Sequence, residues 1–103
     1  MVAVTSVNGV PIRLTDERWG HIVAGHPEMA IERDRVLRTV SAPDVVQAGD
    51  FGELLAIRHW PVTALGSELV VVAYRESDQM NGFILAAYLT RRPSGARKVV
   101  WKR

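Results

Sequence analysis

A chain of 103 residues, 48% hydrophobic and 23% charged, has the composition of one folded domain with a single core, and residues 1–103 are read as that domain. The absence of cysteine removes disulfides, thiolate nucleophiles and Cys-based metal sites and fits a cytoplasmic protein. No apolar run reaches the roughly eighteen residues of a membrane span, and Met1 to Val4 lack the basic start of a signal peptide, so no membrane association is expected. The net charge of +2 conceals an asymmetry: residues 1–90 hold seven basic and eleven acidic side chains, whereas residues 91–103 hold six basic and none acidic. Such a tail points to a polyanionic partner.

Val2 to Val7 is β-rich, and Asn8-Gly9 predicts a hairpin into Val10 to Leu14, with Pro11 confining the second arm to an edge or to a position outside the ladder. Trp19, Ile22 and Val23 have helical spacing within Asp16 to Ala24, Thr15 suits the N-cap, and Gly25 suits a left-handed C-terminal cap. Pro27 then fits the first position of a second helix over about residues 28–40, with Met29, Val36, Leu37 and Val40 on one stripe. Ser41-Ala-Pro-Asp44 ends it. Strand patterns follow at 45–48, 53–60, 68–75, 82–90 and 98–101, separated by turns at 49–52 and 76–81, a loop at 61–67 and a basic loop at 91–95. Helices first and strands afterwards predict an α+β domain. The N-terminal hairpin and two helices are expected to pack on one face of a four- to five-stranded antiparallel sheet.

The helix break at 25–27 brings His21, His26 and Glu28 close together in sequence. His21 fits either a half-buried helix residue or a site residue. His21 and His26 are five residues apart, not on one helix face at i, i+4, so no metal site is expected. No glycine-rich phosphate loop is present, and no cofactor is expected. Period-two alternation places Phe83, Leu85, Ala87 and Leu89 on a core face of the last long strand, and Ile84, Ala86, Tyr88 and Thr90 on the other. The same reasoning suggests a face bearing Arg58, Tyr74, Tyr88 and Thr90. The basic residues Arg91, Arg92, Arg97, Lys98, Lys102 and Arg103 fit either a solubilising tail or a phosphate-binding groove.

The run from Leu14 through Trp19, His21, His26-Pro-Glu28 to Met29, then Val36 to Asp44, Gly52 to Arg58, Leu69 to Arg75, Gly82 to Thr90 and a terminal Val-Trp-Lys102, resembles the phage-type barnase–EndoU–colicin–RelE-like nuclease family. The resemblance covers about Thr5 onward and is most specific at the histidine corner and the Ala-Tyr strand. It implies a barnase/RelE-like fold and metal-independent RNA cleavage through the 2′-hydroxyl. The catalytic residues it implies are His21, His26, Glu28, Tyr88 and Thr90, with Arg58 on the RNA. Arg91, Arg92 and Lys98 of the tail would add phosphate contacts. Histidine suits the proton transfers, arginine the phosphate, and Tyr88 or Trp19 would stack on a base. The implied setting is a phage-derived enzyme or the toxin of a toxin–antitoxin pair, with RNA and a cognate antitoxin as partners. One departure stands out: similar sequences often read Thr-Ala-Tyr where this chain has Ala86-Ala87-Tyr88. The alternative is therefore an inactive RNA- or protein-binding domain of the same fold, with a small-molecule enzyme a more distant third.

Overall fold

In the computed structural model, which describes residues 1–63 and 66–103, the chain forms β1 (Val2–Thr5), β2 (Pro11–Leu14), α1 (Asp16–Gly25) and a 3-10 turn (Pro27–Ile31). It continues through α2 (Arg33–Ser41), β3 (Val45–Ala48), β4 (Leu54–Thr63), β5 (Gly66–Asp78), β6 (Asn81–Thr90) and β7 (Val99–Lys102). The seven strands among the described residues share one sheet in the order β1-β2-β6-β5-β4-β3-β7.

This architecture corrects the expected four- to five-stranded antiparallel sheet of barnase/RelE type. The sheet is larger, and it is mixed. β3 to β6 do form the antiparallel meander that short turns favour. The N-terminal hairpin is not a separate layer, because β2 runs parallel to β6 through Ile12↔Gly82 and Arg13↔Phe83. At the other end β7 pairs antiparallel with β3 instead of lying beside β6. Both additions satisfy backbone donors and acceptors along edges that the meander alone would leave open. Pro11 heads β2, where its missing N–H disturbs the ladder least, so the strand is internal to the sheet and not an edge.

Local elements show where sequence signals were followed and where tertiary structure prevailed. Ser6 N–H bonds Val10 O and Gly9 N–H bonds Ser6 O, both at 2.9 Å, with Gly9 at φ 81°, a three-residue hairpin turn with glycine in the left-handed position. Thr15 caps α1 by accepting from Arg18 N–H at 3.0 Å. Gly25 does not take a left-handed cap; it is the last residue of α1, and His26 takes the C-cap at φ −137° and ψ 79°. The expected second helix divides at Glu32, whose φ of −107° and ψ of 11° separate the 3-10 turn from α2. The expected loop at 61–67 is mostly strand, since β4 reaches Thr63 and β5 starts at Gly66. Its residues 64 and 65 lie outside the described residues.

Two apolar clusters lie on opposite faces of the sheet. On the helix side Ile12, Leu14, Met29, Val36, Val40, Val70, Val72 and Tyr74 are buried together with Ile22 of α1, and Trp19 packs against them. Trp19 is half-buried there. Tyr74 is fully buried with its hydroxyl lacking a hydrogen-bond partner among the described residues. Burial first, and the charge of Glu76 second, push its phenol well above the usual tyrosine range. On the opposite face Leu55, Ile57, Val71 and Ala73 pack with Leu85, Ala86 and Tyr88.

A bulge in β6 decides which of its side chains reach each face. Ala73 pairs with Ala86 but Tyr74 pairs with Ile84, so Leu85 is an extra residue. Alternation reverses across it. Ala87 and Leu89 face the helices as expected, but so does Ile84, while Leu85 joins the open face.

Candidate functional site

β2 leaves β6 after Phe83, and the chain turns through Thr15 into α1, which continues along β6 where the strand partner stops. Arg18 Nη1 reaches the Leu85 carbonyl at 3.4 Å. Ten helical residues rise about 15 Å, close to the length of four or five strand residues. The end of α1 therefore arrives level with Tyr88, and it delivers His26 there.

The backbone of His26 is held on both sides. Its N–H donates to Ile22 O at 2.8 Å, and its carbonyl accepts from Met29 N–H at 2.9 Å. Met29 is fully buried and anchors the 3-10 turn from below. The imidazole, 47% exposed, places Nδ1 3.4 Å from Glu28 Oε1, and its ring centroid lies 6.0 Å from that of Tyr88 at a 33° tilt. Glu28 is the more enclosed partner, with a quarter of its side chain accessible. His26, Glu28 and Tyr88 thus converge from a helix end and a strand.

Beyond Tyr88 the open sheet face continues into a small depression lined by Tyr88, Thr90, Gln47, Arg92, Ser94 and Arg97 over a floor that includes Leu55, Ile57 and Val71. It exists because the chain from β6 to β7 must cross β5, β4 and β3 to reach the sheet edge, and it does so over this face. Gln47 Nε2 donates to Ser94 O at 2.9 Å and Ala48 N–H to Lys98 O at 2.8 Å, tying the crossover down. Arg97 is braced by Asp50 at 3.0 Å. Thr90 Oγ1 donates to Arg92 O at 3.0 Å, so its hydroxyl proton is engaged. Among the described residues no carboxylate pairs with Arg92 or Lys98.

The remaining expected site residues lie elsewhere. His21 is on the solvent side of α1, its Nε2 3.8 Å from Glu17, with no bond or ring contact to His26 or Tyr88 among the described residues. Arg58 lies opposite Val70, on the helix face, whereas Tyr88 lies opposite Val71, on the open face. The anticipated face shared by Arg58, Tyr74, Tyr88 and Thr90 is therefore split by the sheet itself. Arg91 also turns away, 3.4 Å from the buried carboxylate of Glu68. Lys98 borders a neighbouring depression with Ala48, Asp50 and Arg97. Gln47 was not anticipated, although a lone amide two residues after Val45 on the same strand face was a usable signal.

Among the described residues no three His, Asp or Glu side chains converge in a way that would hold a metal ion. No helix is long and apolar enough to cross a membrane. Comparison with family models, curated proteins and solved structures finds no match to this chain.

Proposed function

We propose that the chain is a ribonuclease-type domain that cleaves RNA through its own 2′-hydroxyl. The observation that carries this reading is the convergence of His26 and Glu28 on Tyr88, which itself lines a depression roofed by a basic crossover. In such a reaction the 2′-oxygen attacks the adjacent phosphorus and the 5′-oxygen leaves, giving a 2′,3′-cyclic phosphate. One group must take the 2′-proton and another must protonate the leaving oxygen. Glu28 beside Nδ1 favours the tautomer with its proton there, leaving Nε2 as the free base. Tyr88 presents a phenol hydroxyl on the open face and a ring on which a base can stack. Arg92 supplies a fork of donors for phosphate oxygens, and Arg97, although braced by Asp50, adds positive potential beside it. His21, Arg58 and Arg91 have no part in this reading.

Two substitutions test it. His26→Ala and Tyr88→Phe should each slow single-turnover cleavage by roughly 10²–10⁴-fold, the usual contribution of a positioned acid or base. Because the His26 backbone is held by main-chain bonds, its loss should cost stability by no more than about 1 kcal/mol. Unfolding in proportion to lost cleavage would mean the corner is structural.

A second reading, RNA binding without cleavage, is favoured by one feature. Ala86 brings no hydroxyl to the Tyr88 face, and the hydroxyl of Thr90 already donates to Arg92 O. Under that reading the native chain is inert and Ala86→Thr creates activity. The toxin setting is tested in cells: induced expression should arrest growth, and His26→Ala should relieve the arrest.

A further inference from the structure

Behind the cleft, on the helix side of the sheet, lies a second concentration of positive charge. Arg35 and Arg38 of α2 and Arg58 of β4 close around Trp60, with Asp34 at the rim, in a notch of about 290 Å³. Its floor is held in place. The Trp60 indole N–H donates to Thr39 Oγ1 at 3.1 Å, and Thr39 in turn donates to Arg35 O at 2.6 Å, locking the ring against α2. The Arg58 guanidinium lies 4.5 Å from the indole centroid and donates to Ala42 O at 3.0 Å. Arg35 lies 5.3 Å from the same centroid, with Glu32 beside it at 3.3 Å. Arg38 is exposed, and among the described residues it has no ion-pair partner.

Three guanidinium groups packed at one spot repel one another. Glu32 offsets one of them, and Asp34 at the rim stands within ion-pair distance of none of the three. The excess positive potential selects an anion. Guanidinium groups from a helix and a strand line the same notch, and several forks suit an anion whose oxygens point in several directions, as in phosphate, whereas one fork satisfies a planar carboxylate. A small anionic group fits a notch of this volume.

We infer that this notch binds a phosphate group, at a site separated from the His26–Tyr88 cleft by the thickness of the sheet, with Arg38 completing the grip. The inference does not depend on the ribonuclease reading. The test follows the Trp60 indole N–H by NMR, assigned with Trp60→Phe, at constant ionic strength. Inorganic phosphate is titrated first, then a short single-stranded 2′-O-methyl RNA with hydroxyl ends, which has no free 2′-hydroxyl and cannot be cut. A saturable shift of this resonance is expected, at least about tenfold weaker in Arg38→Ala, the scale of losing one charged hydrogen bond. Arg38→Lys should recover part of the affinity, and Arg91→Ala, which removes a charge elsewhere, should bind as the native chain does. A response to phosphate alone identifies a small-anion site, a response to RNA identifies a phosphodiester site, and either supports the inference. An unchanged titration in Arg38→Ala, or a response to a glutamate-rich peptide and to neither phosphate form, overturns it.

Discussion

Adding one methyl group to glycine should have opposite effects at two positions of this chain. At Gly82 a Cβ would fall against Ile12 Cδ1, 2.7 Å from Arg75 O and 3.3 Å from Pro11 O. Ile12 is fully buried and the other two obstacles are main chain, so no flexible surface group can yield. Overpacking of this kind costs roughly 1–3 kcal/mol. Gly82 is also one of the two β6 residues paired to β2, so the strain falls on the join that attaches the hairpin to the sheet. For a domain of this size each kcal/mol lowers the melting temperature by about 4–8 °C, so Gly82→Ala should melt roughly 4–24 °C lower. Gly20 lies inside α1 with nothing within 4 Å of an added methyl, so Gly20→Ala should gain about 0.5–1 kcal/mol from helix propensity. Thermal and urea unfolding of both variants measure this directly. If Gly82→Ala melts with the native chain, β2 does not pack against β6 at this position and the parallel join is wrong.

Two further changes probe the core and the charges. Tyr74→Phe removes a buried hydroxyl with no partner among the described residues, so urea unfolding should show no loss of stability and a gain of up to about 1 kcal/mol; a loss above about 1 kcal/mol would reveal a bond to that hydroxyl. Arg92 lines the depression with no ion-pair partner among the described residues while Arg91 turns toward Glu68, so Arg92→Ala should weaken RNA binding and reduce its log–log salt slope by about one, and Arg91→Ala should do neither. Equal effects from the two arginines would make the tail a diffuse charge and not a shaped surface.

What was legible in the sequence was local. Asn8-Gly9, the Thr15 cap, and the turns after Ala48 and around Gln79 each report how the chain bends between neighbours, and the meander from β3 to β6 follows from them. The β2–β6 and β3–β7 pairings join segments about seventy and fifty residues apart through main-chain bonds that no side-chain pattern encodes. Alternation showed which residues of one strand share a side, and it placed Ala86, Tyr88 and Thr90 together. It could not show which side of one strand matches which side of the next. That needs register, and register sets Arg58 opposite Val70 but Tyr88 opposite Val71. The bulge at Leu85 adds a second reversal. The histidine corner was visible because Pro27 and the end of α1 are sequence features. Its proximity to Tyr88 depends on α1 continuing along β6, which only the assembled sheet reveals.

The central claim concerns the cleft of His26, Glu28 and Tyr88, and product analysis tests it most directly. Purified chain should cut end-labelled RNA in a single turnover in the presence of EDTA, leaving 2′,3′-cyclic phosphate or 3′-phosphate ends, and His26→Ala should lose that cleavage while remaining folded. Cleavage abolished by EDTA and restored by a divalent ion, or undiminished in folded His26→Ala, would contradict it.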